Sequence, residues 1–184
     1  IWSEQAGQVT AHAETALQQA RAWLKAGKIL AVKGLGGFHL CCDAHSINAV
    51  QTLRQRKQRS ANPFALMAPS LQVIDRYARL TQAASELLNS PQAPVVLLEL
   101  TEAGRELAAI VAPGQVRLGF MLPYTPLHIL LTEAEPAFPD VLVMTSANLS
   151  EEPIAYTNSE ARERLSTLAD AFLLHNRPIN MRID

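Results

Sequence analysis

Four cations fall within six residues at Arg54, Arg56, Lys57 and Arg59, and a polar turn then leads into the apolar run Phe64-Ala65-Leu66-Met67. Cations fixed where a chain re-enters its core are what a phosphate site requires: arginine forks match phosphate oxygens and lysine supplies a point charge. The same groups would also complement the dipole at the C-terminal end of a helix, so a solvated basic helix end is the plainer reading of this stretch alone. A second polar run, Thr145-Ser146-Ala147-Asn148-Leu149-Ser150, follows the apolar Val141-Leu142-Val143-Met144. Its hydroxyls and amide suit orienting phosphate or ribose oxygens rather than moving protons, though Ser and Asn also form ordinary turns.

The run Lys33-Gly34-Leu35-Gly36-Gly37-Phe38 lacks both the Gly-Lys-Ser/Thr ending of a Walker loop and the G-x-G-x-x-G spacing of a dinucleotide fingerprint. What remains is a glycine turn, where backbone can approach a ligand, and a lysine able to neutralise a phosphate or carboxylate. His39, Cys41, Cys42, Asp43 and His45 crowd together and raise the question of zinc. Adjacent cysteines depart from the C-x₂₋₄-C spacing of structural sites, so buried thiols beside a surface histidine are the preferred reading and no structural metal is expected. A Cys–His nucleophile pair would need a third group to orient the base, and none is evident. His128 and His175 lack partners in sequence and receive no role.

These groups must be positioned by elements that the apolar pattern suggests. Apolar residues at helical spacing predict a helix over 10–26, closed by Gly27, and a buried strand over 28–33. A helix over 46–57, with Ser46 as N-cap and Ile47, Val50, Leu53 and Leu40 on its inner side, delivers the basic cluster. Strands are predicted over 64–68, 94–100, 114–122, 141–144 and 171–175, and helices over 71–78, 81–88, 126–132 and 159–169. The stretch 104–113 is irregular, and 179–184 opens something further. Strands alternating with helices indicate an α/β sheet, whose ligands sit at the C-terminal ends of strands.

At 184 residues the chain fits one domain able to bury about 70% of its unfolded surface. Its net charge of −1, with 48% apolar residues and 5% aromatic, lacks the basic excess and stacking platforms of a nucleic-acid binder. Any basic site must be local. No run reaches the length of a membrane span and no secretory signal is evident. Adjacent Cys41 and Cys42 are too strained for an ordinary disulfide, which suggests a reducing cytoplasm. A start at Ile1 and an end at Asp184 suggest a piece excised from a longer polypeptide.

Together, Lys57-x-Arg59 followed by Pro63-Phe64, and Ser146-x-Asn148 after a buried strand, resemble the paired nucleotide-binding motifs of the YrdC-like domains. Three further runs, Lys33 to Leu40, Met121-Leu122-Pro123-Tyr124-Thr125-Pro126-Leu127-His128 and His175-Asn176-Arg177-Pro178-Ile179, resemble the YrdC-like domain of the hydrogenase maturation carbamoyltransferases, HypF. The resemblance covers 26–184. It implies an open, twisted, mixed α/β sheet with helices packed on it and a concave cationic face holding ATP with Mg²⁺, where carbamate derived from carbamoyl phosphate becomes carbamoyl adenylate. It implies Lys57 and Arg59 as catalytic cations, with Thr145, Ser146, Asn148 and Arg182 also on ATP, and Lys33, Gly34 and His39 on carbamate. The implied acceptor is HypE, reached through an adjoining domain; the acylphosphatase, zinc-finger and transferase regions of the family lie outside this single domain of residues 1–184.

Asn62 stands where the related pattern has lysine, and Ala147 where it has the glycine of Ser-Gly-Asn; the chain ends before a further Asp-Ser-containing segment. These departures bear on ATP affinity. The sibling threonylcarbamoyl-adenylate synthases of tRNA modification begin their site with Pro-Thr-Asp-Thr-x-Tyr-Gly and hold the threonine carboxylate with an arginine before x-Pro. Here Lys33-Gly34 and Met121 occupy those places. Leaving such a carboxylate unpaired costs about 2–5 kcal/mol, whereas carbamate has no amino-acid tail to hold. Double-stranded RNA binding on a basic concave face is the alternative outside enzymology, and the charge balance disfavours it.

Overall fold

The computed structural model describes residues 1–59, 62–149 and 152–183, so Ser60, Ala61, Ser150, Glu151 and Asp184 lie outside the described residues. In chain order the elements are β1 (Trp2–Gln5), β2 (Gln8–His12), α1 (Ala13–Lys25), β3 (Leu30–Lys33), β4 (Phe38–Asp43), α2 (Ile47–Arg56), β5 (Leu66–Met67) and α3 (Leu71–Tyr77). There follow α4 (Gln82–Leu88), β6 (Val96–Glu99), α5 (Glu102–Val111), β7 (Arg117–Met121), α6 (Pro126–Thr132), β8 (Leu142–Ser146), α7 (Asn158–Leu165) and β9 (Ala171–Leu174). The strands form one sheet in the order β2-β1-β9-β3-β4-β8-β5-β7-β6. It is mixed: β3 runs parallel to β9 and β5 parallel to β7, while the central β3-β4-β8-β5 pairings are antiparallel. The open, twisted α/β sheet expected from the sequence is the observed architecture.

Side chains alternate across each strand, so every strand feeds two cores. Ala31, Phe38, Leu40, Cys42 and Val143 meet Val50 and Leu53 of α2, Leu107 of α5 and Leu165 of α7 on one face. On the other, Leu30, Val32, Cys41, Met144 and Leu173 meet Ala16, Ala20 and Leu24 of α1 and Leu127 and Leu131 of α6. Two helix starts help to position the candidate residues. Ser46 accepts a hydrogen bond from Ala49 N at the start of α2, and Thr125 accepts one from His128 N at the start of α6, with a proline in its first turn. Each side-chain oxygen satisfies a backbone donor that the helix cannot.

Several boundaries differ from the sequence reading. Residues 10–12, expected at the start of a helix, are the end of β2, which pairs with β1 through a two-residue turn at Ala6 and Gly7. Both turn residues have positive φ, 51° and 77°, as the tightest hairpins need, but alanine in the first position hides the signal. His39, Cys41, Cys42 and Asp43 lie in a strand, β4, with His45 in the turn after it, which makes Leu40 a sheet residue rather than part of the inner side of α2. Ile47, also expected inside, is 55% exposed. The irregular stretch is α5, and the strand expected over 64–68 shortens to β5. No described helix is long and apolar enough to cross a membrane.

Candidate active site

Helix α2 ends in a reversal that separates the four cations. Lys57 is its C-cap, and the next residue, Gln58, takes a left-handed φ of 52°. Gln58 N then donates to Gln55 O and Arg59 N to Arg54 O, the paired bonds of a Schellman ending built without glycine. Arg54 turns back to donate to Arg59 O, Asn62 O and Val111 O, and Arg56 pairs with Asp170. These two arginines hold the fold. Lys57, only 2% exposed, is carried under the end of β8, and Arg59 has its guanidinium 5.7 Å from the Phe64 ring and its buried Nε without a partner among the described residues.

Lys57 Nζ donates to Ser146 O at 2.6 Å, Asn148 O at 2.7 Å and Asn148 Oδ1 at 3.2 Å. An ammonium has three N–H groups, and all three are engaged. Ser146 Oγ donates to the same Asn148 Oδ1 at 2.7 Å, and Asn148 Nδ2 donates to Glu152 O at 2.6 Å. The two polar stretches therefore converge at the C-terminal end of β8. Burial, followed by the charge of Arg59, pushes the Lys57 ammonium down to about 8, since desolvation and a neighbouring cation both disfavour its charged form. Burial also lowers Arg59. Lys57 has no ion pair among the described residues.

The remaining candidates divide between the faces of the sheet. Thr145 is buried on β8 opposite Leu40, on the α2 side. Lys33, opposite Phe38, faces that side as well; it is buried, its pKa is lowered by burial, and Nζ donates to His175 O at 3.0 Å. His39 lies directly opposite Ser146 on the other face, where its Nε2 is 2.9 Å from Tyr124 Oη. The structure thus does not bring Lys33 and His39 side by side. Gly34 stands between them: its N–H closes the turn onto Gly37 O at 2.8 Å, and a Cβ there would lie 2.9 Å from Gly37 O and 3.0 Å from His39 Nε2. Arg182 lies 4.4 Å above the Tyr156 ring and 3.4 Å from Glu160. Glu160 pairs with Arg164, which reaches Glu152 at 2.9 Å. This chain of ion pairs ties Arg182 to the residue whose carbonyl holds Asn148.

Cys41 and Cys42 are free and buried in opposite cores. Burial raises both thiols, and side chains on opposite faces of a strand cannot share one ion. His45 points elsewhere, to Asp140 at 2.8 Å. Sequence reasoning gave no role to Tyr124 and His128, which sit with His39; a helix was read over 126–132, but nothing in the pattern foretold which strand it would face. A hollow of about 460 Å³ lies beside the end of α2, lined by Gln51, Arg54, Gln55, Gln58 and Arg59, and a second cleft of about 630 Å³ opens beside α3 and α6, lined by Ser70, Leu71, Asn89, Ile129 and Glu133. Convergent hydrogen bonding and charge are what distinguish the end of β8.

Residues 22–184 match the family described as Sua5_yciO_yrdC, telomere recombination. The chain is 54% identical over 169 residues to the carbamoyltransferase HypF of Rhodobacter capsulatus, spanning 92% of this chain and 22% of that protein. It superposes with a TM-score of 0.89 and 41% identity on full-length HypF in its phosphate- and nucleotide-bound form, covering 99% of this chain and 23% of that one. The HypF of T. kodakarensis gives a TM-score of 0.92 at 36% identity, over 100% of this chain and 24% of the other. The chain thus spans less than a quarter of each of these relatives, and it belongs to the Sua5/YciO/YrdC family as a domain similar to the one carried by HypF carbamoyltransferases.

Proposed function

We propose that this domain binds ATP with Mg²⁺ at the end of β8 and converts carbamate to carbamoyl adenylate, as the adenylating part of a carbamoyltransferase that serves HypE in hydrogenase maturation. The observation that carries the reading is the closure of Lys57 on Ser146 and Asn148 with Arg59 beside it. The likeness to a HypF in phosphate- and nucleotide-bound form supports it. A carbamate oxygen forms a bond to the α-phosphorus, the bond from that phosphorus to the bridging oxygen breaks, and pyrophosphate leaves with the electron pair and Mg²⁺. No side-chain nucleophile is needed, because nucleotidyl transfer is driven by positioning and charge stabilisation. Arg59 meets the phosphates directly. Lys57 fixes the loop that presents Ser146 and Asn148 and adds its charge beneath it, with Thr145 and Arg182 completing the nucleotide contacts. Gly34 and His39 border the carbamate, and Lys33 adds its charge from across the Gly34 turn on the other face of the sheet.

A threonylcarbamoyl substrate is disfavoured by Met121, which is buried in the apolar cluster with Met67 and Leu127 and offers no charge to a carboxylate. The test is exchange of labelled pyrophosphate into ATP with ammonium carbamate as the acyl source. Carbamate-dependent exchange that falls about 10²-fold in Arg59→Ala is expected, comparable to losing one transition-state donor. Exchange that requires threonine and bicarbonate instead would assign the chain to the sibling chemistry. RNA binding that collapses with salt, without exchange, would make it a phosphodiester-binding module.

A further inference from the structure

His39 and Tyr124, both half-buried, and the fully buried His128 form a polar cluster on the face of the sheet opposite Lys57. Tyr124 Oη lies 2.9 Å from His39 Nε2, the Tyr124 and His128 rings meet edge to face at 4.5 Å, and the two imidazole centroids are 5.9 Å apart. His39 Nδ1 and both nitrogens of His128 are buried without a hydrogen-bond partner among the described residues. Three orphaned nitrogens in one cluster are costly, since each forfeits the hydrogen bond it made to water. The chain nevertheless builds the cluster with care. Thr125 and Pro126 start the helix that presents His128, Arg21 holds the far end of that helix through Leu130 O and Leu131 O, and Gly34 leaves room for the His39 ring.

The cross-strand pairing of β4 and β8 sets His39 directly opposite Ser146, so the cluster adjoins the loop assigned to the nucleotide. Burial pushes His39 down to about 4, and burial with the neighbouring His39 pushes His128 down to about 3. Both imidazoles are therefore neutral near pH 7, each offering one donor and one acceptor. A neutral set of alternating donors and acceptors complements an uncharged planar amide group and gives no counter-charge to an ionised tail.

We propose that His39, Tyr124 and His128 are the specificity-determining residues for the acyl group, reading the NH₂ and C=O of the carbamoyl unit by hydrogen bonds to neutral imidazoles and the tyrosine hydroxyl. The proposal rests on the adenylation reading above and adds what selects the substrate. Acetate is the discriminating probe because it matches carbamate in shape and replaces NH₂ by CH₃. A site built to hydrogen-bond a group rejects the analogue that lacks it.

The experiment compares carbamate with acetate in pyrophosphate exchange for the wild type, Tyr124→Phe and His128→Gln, measures ATP binding in each, and follows the imidazole ¹⁵N signals of His39 and His128 as ammonium carbamate is added. The wild type is expected to prefer carbamate by about 10²-fold or more. Both variants should lose at least about tenfold of that preference with ATP affinity unchanged, and the imidazole signals should move with carbamate. Tyr124→Phe removes only a hydroxyl, so it decides the matter if His128→Gln fails to fold. An unchanged carbamate-to-acetate ratio in a folded variant overturns the proposal, as do imidazole signals that ignore saturating carbamate in a chain that exchanges. If no acyl compound supports exchange, the adenylation reading falls; carbamate-dependent imidazole shifts would then uphold the subsite alone, and their absence would sink both.

Discussion

Arg21 and Lys57 are both buried cations that hold backbone carbonyls far along the chain, and they differ in what answers their charge. Arg21 donates to Leu130 O, Leu131 O and Glu133 O at the end of α6, lies 4.0 Å over the Phe138 ring, and pairs with the Glu135 carboxylate at 2.8 Å. Lys57 donates to two carbonyls and an amide oxygen after β8, with no carboxylate in bridging distance among the described residues and with Arg59 close enough to depress its pKa. One is a closed lock. The other is a lock with surplus positive charge, in a place where a buried ammonium beside a half-buried guanidinium is held at a cost that an arriving phosphate would relieve. The contrast suggests why two similar hydrogen-bond patterns serve different ends.

The largest expected effect separates them. Lys57→Met should reduce pyrophosphate exchange by more than about 10²-fold and abolish measurable ATP binding. Arg21→Met should lower stability by about 1–3 kcal/mol through orphaned carbonyls while exchange per folded molecule stays near that of the wild type. Denaturation curves and exchange rates on both variants decide it; if both lose only stability, the distinction drawn from charge is wrong.

A second effect follows from the Lys57 pKa of about 8 against its ordinary 10.5. Between those values the unfolded chain holds a proton that the folded chain has released, so this group makes the ligand-free protein more stable as pH rises. Bound ATP favours the charged ammonium, so ATP affinity should fall as pH climbs past about 8, and saturating ATP should flatten or reverse the stability slope. Melting curves across pH 7.5–10.5, with Lys57→Met as the reference lacking the group, would show it.

The sequence revealed this contrast unevenly. Val50, Leu53 and the Ser46 cap marked α2 well, and the helix read over 126–132 has the bounds of α6, because caps and short apolar periods act locally. The Lys57 and Asn148 stretches could be paired only through resemblance to a family; their meeting depends on the β4-β8 register, which no local pattern encodes. Two edges were lost for physical reasons. β2 is almost wholly exposed and so shows no apolar alternation, and Gly104 disguised α5 although a Cβ there would lie 1.8 Å from Tyr77 O, a close approach that makes glycine necessary within a helix. Reading residues 39–45 for chemistry obscured β4, the strand that sends His39 and Cys41 to one core and Cys42 to the other.

The smallest effect concerns those thiols. Cys42→Ala should leave exchange near normal and cost about 1 kcal/mol of stability, because Cys42 packs with Leu40 and Val143 in an apolar core. Exchange that depends on Cys42 and ignores Arg59 would mean covalent chemistry at another place.

The position of the phosphates separates a nucleotide site from a plain helix end. A crystal structure of this chain with a non-hydrolysable ATP analogue and Mg²⁺ is expected to place the triphosphate against Arg59 and the Ser146–Asn148 loop, with Lys57 still donating from beneath. A triphosphate in the cleft beside α3 and α6, near Ser70 and Glu133, would contradict it and return the basic cluster to the role of a helix end.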